Sequence, residues 1–125
     1  QQFLRDTGVL GELDEVLDRL PPAVARIVDI AMAIAASPRL LLLDEPFAGV
    51  SAAGGHAISS AVQRLKAQGT SVVVVEHRLK ELFALADRVL VMHHGAAIAN
   101  ETPDRVFRNP DVLAAYGTQE AAMEI

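Results

Sequence analysis

The chain has 125 residues, enough for one compact domain with a core and too few for two, and its 51% apolar content excludes wholesale disorder. A formal net charge of -5 and the absence of cysteine argue against a basic nucleic-acid platform and exclude a disulfide framework or a thiolate metal site. The longest apolar region, 27–43, is broken by Asp29, Ser37, Pro38 and Arg39 into pieces too short to span a bilayer, and no basic-then-apolar leader opens the chain.

Residues 1–20 are mixed and charged, punctuated by Gly8 and Gly11, and suit one or two short helices. The chain opens without Met inside this stretch, which suggests truncation or processing. After Pro21-Pro22, the spacing of Val24, Ile27, Val28 and Ala31 predicts an amphipathic helix over Ala23–Ala36, with Arg26 and Asp29 on its polar side. Pro22 sits where a first-turn N–H has no partner to lose, and Ser37-Pro38 ends the helix. Leu40–Leu43 is apolar without alternation, the pattern of a strand buried on both faces of a parallel sheet. Ser71–Val75 and Arg88–Met92 read as further strands. Between them lie helices over about Ala53–Gln68, stopped by Gly69, and Leu79–Ala86. Strand, helix, strand, helix, strand predicts an α/β fold with a mostly parallel sheet and crossover helices.

His93-His94-Gly95 reads as a turn, since adjacent strand positions point to opposite faces and chelate poorly together, and Ala96–Ala99 reads as an antiparallel return. Thr102-Pro103 and Asn109-Pro110 each read as N-cap plus first position of a short helix, the second closed by Gly117, with 118–125 a loose tail.

The strongest chemical signal is Leu40-Leu41-Leu42-Leu43-Asp44-Glu45-Pro46, a strand with two carboxylates at its C-terminal end. In open α/β sheets ligands bind beyond those ends. An Asp there can hold Mg²⁺ through water, and a Glu beside it can orient or deprotonate an attacking water. Two acids at a buried strand end would be costly without such a task. The second signal is Val72–Val75 followed by Glu76-His77, which parallel pairing brings to the same sheet edge. An imidazole there can donate to a phosphate.

These stretches resemble the ATP-binding cassette (ABC) ATPases. Leu40–Pro46 resembles their Walker B motif, Phe47-Ala48-Gly49-Val50-Ser51 the D-loop, and His77 the switch histidine. Ala86–Gly95 is similar to the strand and hairpin downstream. Glu101-Thr102-Pro103, Asn109-Pro110 and Ala115-Tyr116 are similar to the C-terminal end of the branched-chain amino-acid transporter subfamily. The resemblance covers roughly residues 20–117 and implies a partial P-loop NTPase fold with a C-terminal hairpin and short helices. It implies a remnant of the helical subdomain over 1–38 and the C-terminal part of the ATPase core over 39–117. It also implies ATP and Mg²⁺ as cofactors, with Asp44 supporting the metal, Glu45 as general base and His77 on the γ-phosphate. Ser51, Pro22 and Ala23 would line the composite nucleotide site shared with a second ATPase subunit. The helical region would dock on a transmembrane permease at the cytoplasmic face of the membrane, in import of a small solute such as an amino acid.

The sequence departs from the family pattern in three places. No G-x-x-x-x-G-K-S/T loop is present, so nothing here matches the backbone cradle and Lys that hold the β- and γ-phosphates. The signature Leu-Ser-Gly-Gly-Gln is replaced by Leu20-Pro21-Pro22-Ala23-Val24, which removes N–H donors and adds Cβ atoms at a helix N-terminus. Ser51 stands where the family commonly has Asp or Asn. The isolated chain is therefore expected to be inactive without a phosphate-binding half. A non-catalytic half-cassette acting as an interaction module is the alternative, and a strand edge left open by such a half invites self-association.

Overall fold

The computed structural model describes Arg5 and residues 20–117. The helices read from residues 1–20 and the tail 118–125 therefore lie outside the described residues. The chain divides into two compact units, one ending at Glu76 and the other beginning at His77.

In the first unit, helix α1 (Pro22–Ala35) is followed by strand β1 (Leu40–Asp44), helix α2 (Ala52–Ala67) and strand β2 (Ser71–Val75). Helix α1 starts on a proline with no side-chain cap, and the Val24 and Ala25 amides donate to the Pro21 carbonyl at 2.9 and 3.0 Å. It ends one residue before the expected boundary, and Ser37 turns the chain at φ 50. Helix α2 buries Ala57, Ile58, Ala61, Val62 and Leu65, an i, i+1, i+4, i+5, i+8 stripe that supplies half of the unit's buried apolar residues. Its C-terminus is a Schellman turn. The Gly69 amide donates to Lys66 O at 3.0 Å, the Thr70 amide to Leu65 O at 3.0 Å, and Gly69 supplies the required left-handed φ of 88.

Strands β1 and β2 pair in parallel, from Leu40 opposite Ser71 to Asp44 opposite Val75. The Thr70 hydroxyl donates to Pro38 O at 3.1 Å and the Ser71 amide to Arg39 O at 3.0 Å, aligning the two strand starts. The parallel pairing agrees with the sequence reading, but the expectation of two buried faces does not hold. Leu41 and Leu43 are buried, whereas Leu40 and Leu42 are 54% and 67% exposed, and Val73 and Val75 are exposed beside them. Helices α1 and α2 supply Ile27, Ile30, Ile58 and Val62 to the buried core. Among the described residues nothing covers the Leu40, Leu42, Val73, Val75 face.

The second unit runs through helix α3 (Leu79–Leu85), strands β3 (Val89–His93) and β4 (Ala96–Glu101), a 3₁₀ turn (Val106–Arg108) and helix α4 (Pro110–Tyr116). Strand β3 pairs antiparallel with β4, the return expected for Ala96–Ala99, through a two-residue turn in which His94 and Gly95 have φ 47 and 80. That is the positive-φ geometry favoured in tight hairpins, and a partner so close in sequence carries little loop-closure cost. Thr102-Pro103 does not open an α-helix. Both the Arg105 and Val106 amides donate to Thr102 O, which makes a turn leading into a single 3₁₀ turn. The Thr102 side chain also hydrogen-bonds the exposed Asp104 carboxyl and holds it below its usual pKa. The Asn109-Pro110 reading is borne out: Asn109 Oδ1 accepts from the Asp111 amide at 2.9 Å and α4 follows. Val89, Ala99, Val106 and Val112 form the core, and Phe83 and Phe107 pack against it with their ring centroids 5.9 Å apart.

The one-sided burial of β1 sets different tolerances at adjacent positions. Leu41→Ala lowers unfolding free energy by about 2–4 kcal/mol through a core cavity. Leu42→Thr, on the open face, changes it by less than about 0.5 kcal/mol. Urea unfolding midpoints of the two variants check this, and equal losses would mean that both faces are packed.

Candidate functional site

The site is built where β1 ends. Asp44 is the last residue of the strand and Glu45 follows it, and both are exposed. The desolvation cost that the sequence reading attached to two acids at a buried strand end is therefore not incurred here. Asp44 lines an open concavity of about 560 Å³ between α1 and β1, with Pro22, Arg26, Asp29, Ile30 and Leu42 among its walls. Among the described residues no three His, Asp or Glu side chains converge as a protein-only metal cage. A single exposed carboxylate does fit Mg²⁺, which keeps several waters and takes one or two protein carboxylates alongside phosphates.

Glu45 has φ 45, the left-handed region that a non-glycine residue enters at a cost of roughly 1–2 kcal/mol. Pro46 next in the chain disfavours the right-handed helical alternative. Hydrogen bonds on both sides hold the conformation. The Glu45 amide donates to Val75 O at 2.9 Å, extending the parallel ladder by one step. The Glu45 carbonyl accepts from the Ala48 amide at 3.1 Å and from Arg26 Nη1 on helix α1. At about 1 kcal/mol net each, three such bonds outweigh the backbone cost.

The turn continues under a second restraint. The Phe47 amide donates to Glu76 Oε1 at 3.3 Å, and Pro46 and Phe47 are buried beneath it. In the sequence Glu76 is only half of a polar pair and Arg26 only a residue on the polar side of its helix. Neither contact has a local sequence signal, because the partners lie 29 and 19 residues apart. Ser51 caps α2: its hydroxyl accepts from the Gly54 amide at 3.2 Å. Asp and Asn are equally good at this task, so Ser51 supplies the same cap as the residues more usual there.

The remaining expected residues are more dispersed. Pro22 shares the concavity with Asp44, and Ala23 follows it in the first turn of α1. Pro22 has no N–H and the Val24 amide is committed to Pro21 O, so this helix start offers fewer donors to an anion than an ordinary one. His77 opens the second unit and is exposed. His93 and His94 stack edge-on at 4.1 Å in the hairpin turn, His93 also meets the Tyr116 ring at 5.8 Å, and the Tyr116 hydroxyl donates to Met92 O at 2.6 Å. These contacts serve the hairpin, as the turn reading implied. No helix among the described residues is long and apolar enough to cross a membrane. Ser51→Ala is expected to lower stability by about 1 kcal/mol and Ser51→Asp to leave it within a few tenths. Thermal or urea unfolding tests this, and equal losses in both variants would remove the capping role.

No protein-family model matches the chain. It is 33% identical to a probable ABC transporter ATP-binding protein of Azorhizobium caulinodans, with 87% of this chain and 43% of that protein covered. It is 30% identical to the high-affinity branched-chain amino acid transport ATP-binding protein LivG of Escherichia coli, covering 91% of this chain and 45% of LivG. Among solved structures it superposes on an ATP-binding cassette of an ABC transporter in its ADP conformation with a TM-score of 0.70 at 28% identity, over 92% of this chain and 47% of that one. The chain thus spans a little under half the length of the relatives it matches. Sequence likeness and fold together place it: the chain belongs to the ABC ATPase family, within the P-loop NTPase fold, and corresponds to the C-terminal half of an ABC transporter ATP-binding subunit.

Proposed function

We propose that this chain carries the hydrolytic portion of an ATP-binding subunit that drives an ABC import transporter. The observation that carries the reading is the pair Asp44–Glu45 at the C-terminal end of a parallel strand, with the Glu45 backbone held from both sides. Asp44 supports Mg²⁺ through water, and the bound metal would neutralise charge on the nucleotide phosphates. Glu45 acts as general base toward the attacking water, and His77 donates to the γ-phosphate. Ser51 holds the D-loop against a second ATPase subunit by capping α2, and Pro22 and Ala23 form the weakened signature turn. A transmembrane permease is the other partner, at the cytoplasmic face of the membrane. The likeness to LivG supports an amino acid as the solute.

The 125 residues hold no phosphate-binding loop, so ATP is held productively only when that loop is supplied by another segment. Among the described residues the parallel sheet has only two strands, and its open edges with the exposed Leu42 and Val73 favour self-association of the isolated chain. The reading is tested by combining this chain with the phosphate-loop half of a related cassette and assaying Mg²⁺-dependent ATP hydrolysis. Activity should appear, and Glu45→Gln should lower kcat by about 10²–10⁴-fold, the scale of general-base catalysis. No activity in the combined protein, or full activity in the Glu45→Gln variant, would favour a non-catalytic interaction module.

A further inference from the structure

We infer that Arg26 is a positioning residue for Glu45, fixing the direction of its side chain from the first turns of helix α1. This rests on the reading of Glu45 as the base. A side chain leaves Cα in a direction set by the two peptide planes on either side of it. The plane before Glu45 is tied to β2 through the Glu45 amide and Val75 O, at 2.9 Å. The plane after it is tied through the Glu45 carbonyl, which accepts from Ala48 within the turn and from the Arg26 guanidinium outside it. The Ala48 bond closes the turn, and the Phe47 amide ties the turn to Glu76 just after β2. Of the two donors to the Glu45 carbonyl, Arg26 is the one that lies on a different element, and so it holds the second plane directly to helix α1.

The chemistry suits the task. Glu45 sits at φ 45, where relaxation to negative φ is downhill for a residue bearing Cβ. Such a relaxation would swing Cβ and the carboxylate away from their present aim while leaving the β1–β2 ladder intact up to Asp44. Arg brings a charged, multidentate donor on a stem long enough to reach the carbonyl from α1. Its neighbours around the same concavity are Asp29 and Asp44, which favour a cation at that place. A link of this kind also makes the aim of Glu45 depend on the placement of α1, whose N-terminus holds the altered signature residues Pro22 and Ala23.

The test is nuclear magnetic resonance of the 125-residue chain, reading the Glu45 Cα and Cβ shifts and the amide–Hα coupling that report left-handed φ. In Arg26→Met, which keeps the stem and removes the donor, the left-handed signature of Glu45 is expected to be lost while Leu41, Leu43 and Val74 keep their strand shifts. Arg26→Lys, which still donates, should retain it. A Glu45 signature unchanged in folded Arg26→Met overturns the proposal, because a merely structural arginine leaves that dihedral alone. Should Arg26→Met not fold, Arg26→Gln, whose amide falls short of the carbonyl, serves with the same two outcomes. The readout is a backbone angle and needs no nucleotide, so it stands apart from the Glu45→Gln assay that tests the base itself.

Discussion

The parallel pairing of Leu40–Asp44 with Ser71–Val75 is the constraint on which the rest of the first unit depends. It is set at its beginning by Gly69 and Thr70, whose Schellman turn delivers the chain from α2 to the Pro38 and Arg39 carbonyls. It ends with one further bond, from the Glu45 amide to Val75, so the last ladder step already lies inside the turn that carries the carboxylates. A slip of one residue would turn Leu41 and Leu43 out of the core and Leu40 and Leu42 into it. It would also detach Glu45 from Val75 and move Glu76 off Phe47. Burial of the core and placement of the acids are thus one decision.

Within that frame the turn from Glu45 to Gly49 is held by contacts from elements far apart in sequence. Arg26 reaches in from α1, Val75 and Glu76 from the end of β2, and Ser51 caps the helix that follows. The buried Pro46 and Phe47 anchor the turn from below. Such a turn can keep a non-glycine residue in the left-handed region because several weak bonds oppose a single backbone cost of roughly 1–2 kcal/mol. Strain held in this way is common at sites that do chemistry, which agrees with the role proposed for Glu45.

Local signals were the legible ones. Ser71–Val75 agrees end for end with its expected strand, because a β-branched run between a Gly and a polar pair has no competing period. The start of α1 at Pro22, the Asn109 cap and the His94-Gly95 turn follow equally from residue chemistry. The one-sided burial of β1 is not legible in the sequence, because an unbroken leucine run carries no alternation, whereas the folded strand has an open face. The antiparallel return of Ala96–Ala99 onto β3 is legible because a Gly-containing turn joins two apolar runs. Thr102-Pro103 has the form of a helix start, yet the Thr102 carbonyl takes two amides at once and the chain tightens into a 3₁₀ turn. At the site, Asp44 and Glu45 stood out by their position after an apolar run. Arg26 and Glu76 did not, because their value lies in reaching across 19 and 29 residues to single backbone atoms.

In the proposed division of labour these residues take the metal-supporting and base functions of an ABC ATPase, and another segment holds the triphosphate. Calorimetric titration of Mg²⁺–ATP into the 125-residue chain, with Asp44→Ala alongside, tests it most directly. The account predicts no saturable heat up to millimolar nucleotide in either protein. Saturable binding by the parent chain that vanishes in Asp44→Ala would contradict it, and would mean that these residues build a phosphate cradle of their own.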